Sequence, residues 1–121
     1  MMAKVLIVDD SRTSRKILRG ILEGYGYEVI AEAENGEEGY LKYKEKAPDV
    51  VTMDITMPKM DGIECLKIIK HADAEAKIIM ITAAGQKDKM MEAIKNGASE
   101  FVTKPFDKEE IKKALDTVLG A

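Results

Sequence analysis

The sequence has few of the residues from which disulfides and zinc sites are built, with one cysteine, Cys65, and one histidine, His71. A single cysteine cannot form an internal disulfide, and no second cysteine or histidine lies at the spacing of a metal site. A lone thiol is typical of a reducing compartment, so the sequence predicts a cytoplasmic location.

Long apolar runs are also missing. The first residues, MMAKVLIVDD, contain only four consecutive apolar side chains after the lysine and before two acids, too few for a signal peptide or a membrane span. Neither sign of charge is in large excess, since the chain has 19 basic and 22 acidic residues. Nucleic-acid-binding domains usually carry a clustered basic excess. The sequence therefore predicts neither a nucleic-acid partner nor a membrane contact.

The apolar segments that are present are short, and each is typical of a β-strand. They span residues 4–9, 28–33, 49–54, 77–82 and 100–104. Helical patterns fill the intervals, and crossovers of this length imply right-handed parallel pairing. The sequence therefore predicts one doubly wound α/β domain over residues 1–121, with a parallel sheet between helices.

The first predicted helix carries an apolar and a basic pattern. Apolar residues recur along it in a helical pattern, at Ile17, Leu18, Ile21 and Leu22, before the glycines at 24 and 26. Its basic residues share roughly one side at helical spacing, and they are Arg12, Arg15, Lys16 and Arg19. This basic side has two interpretations, a solvated face or an electrostatic aid to docking a partner.

The last predicted helix has the clearest signals. Asp107 can cap its start, and Glu110 follows three residues later, as in a capping box. Ile111, Leu115 and Val118 are predicted to form its inward stripe.

Polar residues follow or end four of the predicted strands. They are Asp9, Asp10, Asp54, Thr82 and Lys104. The carboxyl ends of parallel strands meet at one edge of a sheet, where ligands bind in open α/β folds. Three carboxylates there repel one another unless a cation is present. Oxygen ligands without histidine or cysteine favour a hard ion, and we expect Mg²⁺.

This set of groups is suited to phosphoryl transfer. A carboxylate can attack phosphorus, cations can neutralise the phosphoryl oxygens, and a hydroxyl can donate a hydrogen bond to one of them. The alternative is that each residue merely caps or solubilises its strand end. The occurrence of all five at corresponding strand ends favours a functional site.

Four segments carry a resemblance to a known family. LIVDDS contains the acidic pair, MDITMPKMDG surrounds Asp54, ITAAG contains Thr82, and FVTKPF contains Lys104. In this order and spacing the whole chain resembles a response-regulator receiver domain of two-component signalling, the CheY-like fold. The resemblance implies a flavodoxin-like (βα)5 three-layer sandwich with five parallel strands in the order 2-1-3-4-5.

The resemblance also implies a phosphoacceptor and its metal ligands. Asp54 would accept the phosphoryl group. Asp10, Asp54 and the backbone carbonyl of Thr56 would hold Mg²⁺, with Asp9 assisting, commonly through water.

The remaining residues implied by the resemblance form a contact and a switch. Lys104 would contact the phosphoryl group and precede a cis peptide bond to Pro105. The Thr82 hydroxyl would turn toward the phosphoryl oxygens, and the ring of Phe101 would follow into the space that it leaves. This change would remodel the face formed by the fourth helix, the fifth strand and the fifth helix. Many receivers have tyrosine where this chain has Phe101, so a signal that needs a phenolic hydrogen bond is not expected.

The resemblance implies a phosphohistidine donor on a sensor kinase or a histidine phosphotransfer domain. We do not expect His71 to be such a donor, because it lies near the predicted end of the third helix and interacts there with the helix dipole. No effector segment follows the fifth predicted helix, so we expect a free-standing monomer that acts by docking.

The run TMDITMPKMDG and the segment from Ile81 to Phe106 are most similar to the chemotaxis subgroup, whose output partner is the flagellar motor switch. A phosphatase is a further expected partner. The domain would catalyse only its own phosphorylation and dephosphorylation, so we do not expect an enzyme. The alternatives within the family are a phosphorelay intermediate that passes the group to a histidine domain, or a receiver fragment of a longer regulator.

Rivals outside the family lack a required feature. A phosphatase of the haloacid-dehalogenase class needs a second aspartate two residues after the nucleophile, where this chain has Thr56. Flavodoxin-like carriers and dinucleotide binders need a glycine-rich or basic turn after the first strand, where this chain has DDSRTS.

Overall fold

A computed structural model describes residues 3–120. The described chain contains five strands that alternate with five helices. The strands are β1 (Lys4–Val8), β2 (Glu28–Ala33), β3 (Val50–Asp54), β4 (Ile78–Thr82) and β5 (Glu100–Thr103). The helices are α1 (Arg12–Gly24), α2 (Gly36–Lys46), α3 (Gly62–Ala72), α4 (Lys87–Lys95) and α5 (Lys108–Leu119). Each predicted strand is confirmed to within one residue.

All four strand pairings are parallel, and the sheet order is β2-β1-β3-β4-β5. This is the flavodoxin-like, doubly wound topology that the resemblance implied, and the fold prediction is confirmed. The switch in strand order lies at β1 and β3, which are direct neighbours. In such sheets a crevice forms outside the carboxyl ends of these strands.

The central strands are buried on both faces, which explains their continuous apolar sequences. Successive residues point to opposite sides, so each strand contributes to two cores. On one side Leu6 and Val51 pack with helices α2, α3 and α4. On the other side Ile7 and Ile79 pack with helices α1 and α5. None of the helices within residues 3–120 combines the length and apolar character that a bilayer crossing requires.

Helix α5 follows its sequence signals closely. The Asp107 carboxylate accepts hydrogen bonds from the backbone N–H groups of Glu109 at 2.8 Å and Glu110 at 3.4 Å. It thereby satisfies two of the amide groups that a helix start leaves free. Ile111 and Leu115 are buried in the core as predicted.

Helix α1 forms where its pattern predicts it, but two of its residues lie on sides that the pattern does not suggest. Leu18, Ile21 and Leu22 are buried, but Ile17 is 52% exposed and lies outside the core. Arg15, which the sequence placed on a basic surface with Arg12 and Arg19, is instead buried. The interpretation of Arg15 as a solvated or docking residue is therefore wrong.

Arg15 is buried because oxygen atoms at the ends of β1 and β2 surround it. Its guanidinium lies 3.0 Å from Glu32 and 3.6 Å from Glu34, and it donates at 2.7 Å to the backbone carbonyl of Asp9. Arg19 pairs with the other oxygen of Glu32. The planar guanidinium, with five donors, can bind several such acceptors at once. Arg15 therefore anchors the carboxyl end of β1 to helix α1.

Thr52 is a polar residue within an apolar layer, and it yields a prediction about stability. Its hydroxyl is buried and has no hydrogen-bond partner among the described residues. Thr52 pairs with Ile7 and Ile79, which both belong to the α1 and α5 core. We expect Thr52→Val to raise the free energy of unfolding by about 1 kcal/mol, because valine has the same shape without an unsatisfied hydroxyl.

Urea unfolding of the two proteins measures this difference. The exposed Thr103→Val in β5 is the matched control, with an expected change within about 0.5 kcal/mol. A Thr52→Val protein no more stable than the wild type would contradict the prediction.

Candidate functional site

The polar residues predicted at the strand ends lie together at the carboxyl edge of the sheet. Asp9 follows β1, Asp54 ends β3, Thr82 ends β4 and Lys104 follows β5. Carboxylate oxygens of Asp9, Asp10 and Asp54 all lie within 4.8 Å of one another. Asp9 and Asp54 are buried and Asp10 is exposed, so the cluster opens to solvent on one side.

Lys104 is the cation of this cluster. Its Nζ lies 3.0 Å from Asp9 Oδ2 and 3.6 Å from Asp54 Oδ2. The Lys104–Pro105 peptide bond is cis, as the resemblance implied. One lysine beside three carboxylates leaves an excess of negative charge at the site.

This excess and the burial change the acidity of Asp54. Burial, followed by the nearby carboxylate of Asp9, raises the pKa of its carboxyl to about 6, although Lys104 opposes the rise. A buried carboxylate with like-charged neighbours favours protonation unless another cation joins them. The donor set is all oxygen, with at least one solvent-accessible side, and therefore fits Mg²⁺. A Mg²⁺ ion would contribute the positive charge that one lysine does not supply.

Two hydrogen bonds hold Asp9 just before the start of helix α1. The Asp9 Oδ1 atom accepts from the Ser11 N–H at 2.8 Å, and the Asp9 carbonyl is bound by Arg15. Ser11 in turn caps helix α1, with its Oγ accepting from the Ser14 N–H at 3.2 Å. Because Asp9 is fixed at both its carboxylate and its carbonyl, its orientation toward Asp54 is preorganised.

Gly62 allows α3 to begin directly against the end of β3. Its N–H donates to the carbonyl of Ile55 at 2.8 Å, and a Cβ at this position would overlap the carbonyl oxygen of Asp54. Asp61 caps the helix by accepting from the Glu64 N–H at 2.9 Å. The exposed Thr56 lies in the loop that this contact closes.

Thr82 and Phe101, the two residues of the implied switch, belong to neighbouring strands. The Phe101 ring is partly buried against the core on the α2, α3 and α4 side, and Phe101 pairs with Met80. Thr82, two residues after Met80, is fully buried. The two residues therefore lie on adjacent strands of the β4–β5 half of the sheet.

Gln86 is a site residue that the sequence analysis missed. Its amide oxygen accepts from the Thr82 hydroxyl at 3.1 Å and from the Ala83 N–H at 3.0 Å. Its amide nitrogen donates to the Thr56 hydroxyl at 2.8 Å. The sequence signal that could have indicated Gln86 was its long amide side chain immediately after a glycine. Gly85 has a φ of 89°, a value that favours glycine in a turn.

His71 lies far from the acidic cluster. It is exposed and occupies the last turn of α3, whereas Gly62 at the start of that helix touches Asp54. The nine steps along the helix from Gly62 to His71 span roughly 14 Å at 1.5 Å per residue. This placement agrees with the predicted solvated residue at a helix end.

Comparison with known proteins decides the family. A family model described as "Response regulator receiver domain" matches residues 5–116. The chain belongs to this family.

Relatives of known role match over nearly the full chain. The "Chemotaxis protein CheY" of Bacillus subtilis (strain 168) is 50% identical over 120 residues, which cover 99% of this chain and 100% of that protein. The CheY of Thermotoga maritima is 50% identical over 115 residues, covering 95% of this chain and 96% of that protein. This receiver domain is thus a response regulator with full-length chemotaxis relatives.

A solved structure shows the same fold. The crystal structure of the CheX-CheY-BeF3-Mg+2 complex from Borrelia burgdorferi contains a chain that is 41% identical, with a TM-score of 0.92. The match covers 97% of this chain and 89% of that one. That CheY was therefore crystallised with a metal and a beryllofluoride group, and with a partner protein.

The acidity of Asp54 predicts a pH-dependent effect on stability in the metal-free protein. The pKa of its carboxyl is 3.8 ordinarily and about 6 in the folded chain. Between these values the folded state binds more protons than the unfolded state, so this group lowers stability as the pH rises. We expect Asp54→Asn to be more stable than the wild type by about 1 to 3 kcal/mol above pH 7, and to match it near pH 4.

Urea unfolding in EDTA at pH 4.0 and 7.5 measures both differences. The exposed Glu75→Gln serves as a control for charge removal, with an expected change within about 0.5 kcal/mol. Excess Mg²⁺ at pH 7.5 is expected to reduce the difference in free energy of unfolding between Asp54→Asn and the wild type, because the ion stabilises the folded wild type. An equal difference in stability between the two proteins at pH 4.0 and pH 7.5 would show that repulsion within the carboxylate cluster does not cause it.

Proposed function

We propose that this receiver domain accepts a phosphoryl group on Asp54 from a phosphohistidine of a sensor kinase or histidine phosphotransfer domain, and then binds an output protein. The observation that carries the proposal is the position of Asp54. Its carboxylate ends a buried strand and lies 3.6 Å from Lys104, within a cluster of three carboxylates. The receiver family and the chemotaxis relatives support this reading.

The covalent step transfers one phosphoryl group. An oxygen of the ionised Asp54 carboxylate attacks phosphorus, a P–O bond forms and the P–N bond of the phosphohistidine breaks, so the product is an acyl phosphate. The imidazole leaves with the electron pair of that bond and takes up a proton. With a pKa of about 6, the Asp54 carboxyl is mostly ionised at neutral pH and available for attack.

Mg²⁺ would be held by Asp10, Asp54 and the backbone carbonyl of Thr56, with Asp9 assisting through water. When bound, the ion supplies positive charge that offsets the phosphoryl oxygens and the carboxylates. Lys104 already lies between Asp9 and Asp54, so it can shift its contact to a phosphoryl oxygen with little movement.

The switch follows from the added charge. A phosphoryl group brings close to two negative charges and strong acceptor oxygens to the end of β3. The Thr82 hydroxyl at the end of β4 can donate to one of these oxygens, and Phe101 on β5 can move into the vacated space. On this proposal the change reaches the face formed by α4, β5 and α5.

That face has features of a docking surface. Met91 and Ile94 on α4 are each 52% exposed, and a groove of about 340 Å³ lies between β5 and α5. Phe101, Glu110 and Lys113 are among the residues that line the groove. Exposed methionine is adaptable in such contacts.

The chemotaxis relatives favour an output role over a phosphorelay intermediate, and we propose the flagellar motor switch as the output partner. The Borrelia burgdorferi CheY is seen with CheX, which supports a further regulatory partner for this chain, and the resemblance suggests a phosphatase. On this proposal the protein acts as a cytoplasmic monomer. It catalyses only its own phosphorylation and dephosphorylation, so it is not an enzyme with a separate substrate.

Phosphorylation by a small donor tests the phosphoacceptor. Acetyl phosphate with Mg²⁺ is expected to add one phosphoryl group to the wild type, as measured by intact mass. Asp54→Asn is expected to add none, because its amide is not a nucleophile toward phosphorus. EDTA is expected to abolish the addition to the wild type. Equal addition to Asp54→Asn would place the acceptor elsewhere and overturn the proposal.

Reversing a charge on α1 tests whether the phosphodonor docks there. Arg15 is unsuitable for this test because it is buried, but Lys16 is exposed on the same helix. We expect Lys16→Glu to slow transfer from a phosphorylated kinase by roughly threefold or more, since reversing a charge at the edge of an interface mainly lowers the association rate. Phosphorylation by acetyl phosphate is expected to change less than twofold.

The matched control for this charge reversal is Lys77→Glu. Lys77 is exposed and precedes β4, at the opposite edge of the sheet from the acidic cluster. Its reversal is expected to leave both rates near those of the wild type. A loss of equal size with both donors in Lys16→Glu would contradict a docking role.

A further inference from the structure

Gln86 connects two loops at the mouth of the site through one side chain. Its amide reaches Thr82 and Ala83 at the end of β4, and Thr56 in the loop after β3. The Ala83 N–H can only donate, so the amide oxygen must face it, and the amide nitrogen then faces Thr56. The orientation of the Gln86 amide is therefore determined by its partners.

With the Gln86 amide in this orientation, the single proton of the Thr82 hydroxyl is already used in a hydrogen bond. Within residues 3–120 that hydroxyl has two acceptors, the Gln86 amide oxygen and the Ala83 carbonyl, each at 3.1 Å, and neither can donate. The proton must therefore point toward one of them. It cannot at the same time be donated to a phosphoryl oxygen on Asp54, so both contacts compete with the switch, and Gln86 is the side chain that provides one of them.

Gln86 also occupies the position where helix α4 begins. It is the N-cap residue of this helix, yet its side chain makes no capping hydrogen bond and points back to the loops instead. Ala93 is the one residue of α4 that is fully buried, so packing holds this helix weakly. The hydrogen bonds of the Gln86 side chain therefore contribute strongly to the position of the first turn of α4.

We propose that Gln86 is a positioning residue that latches the unphosphorylated form. Its amide holds the Thr82 hydroxyl, the Thr56 hydroxyl and the start of α4 together, and it must release Thr82 before that hydroxyl can donate to a phosphoryl group. This inference rests on the proposed function, because it assumes the switch at Asp54. Loss of the amide favours the activated form.

The test compares Gln86→Met with the wild type, since methionine has similar length and no amide. Beryllofluoride with Mg²⁺ is the activating probe, and amide NMR of Thr82, Ala83 and Phe101 is the readout. Without the probe, Gln86→Met signals are expected to lie displaced from the wild type toward the positions of the beryllofluoride-saturated protein. Half-saturation is expected at a roughly three- to tenfold lower probe concentration, which corresponds to the net contribution of one hydrogen bond.

Two further variants separate a latch from a general disturbance of the helix. Lys87→Met places the same side chain at the adjacent exposed position and is expected to behave as the wild type. Thr56→Val removes one partner of the amide, so it is expected to have little further effect in a Gln86→Met background. Fully additive effects would overturn the inference, because the two residues would then act separately.

The failures of the two proposals are distinguishable. If the wild type responds to beryllofluoride and Gln86→Met needs the same or a higher concentration, the latch is overturned and the phosphoswitch stands. If the wild type shows no response that depends on Mg²⁺, the proposed function is overturned, and the latch with it.

Discussion

The crowding of three carboxylates around one lysine is the constraint on which the rest of this structure depends. Asp54 ends a buried strand, and its neighbours Asp9 and Lys104 act on it in opposite directions. An isolated arrangement of this kind would relax by moving the acids apart. Arg15 prevents this at β1 by binding the Asp9 carbonyl, and the close packing of Gly62 prevents it at β3. The surrounding fold therefore keeps the acids close enough to share a cation.

The sequence was sufficient to predict the sheet and the members of the cluster, because both depend on patterns along the chain. Apolar runs that end in Asp54 or Thr82 mark a strand and its terminus at once. Parallel strands bring such termini to one edge, so proximity follows from topology without knowledge of any distance. The cap of α5 by Asp107 was predictable for a similar local reason.

The positions that were wrong or missed depend on contacts between distant segments. Arg15 has the helical spacing of a surface residue, but Glu32 on β2 and Glu34 just after it supply partners that allow it to be buried. Ile17 matches an apolar pattern, yet it lies outside the α1 and α5 core. Gln86 carries no motif, and its part in the site depends on Thr56, which is 30 residues away in the chain. Periodicity alone contains no information about these partners.

The contact of Gly62 with Asp54 makes the two sides of the site mechanically unequal. Only a hydrogen atom fits between the first residue of α3 and the carbonyl of Asp54. The α3 side of the site is therefore closely packed and resists displacement. On the opposite side, Thr82 is restrained by hydrogen bonds to Gln86 and Ala83, which can be exchanged for others. A group added at Asp54 can therefore be accommodated more easily by movement of β4 and α4 than by movement of α3. Gly62, which takes no part in the chemistry, therefore favours movement on the β4 and α4 side of the site.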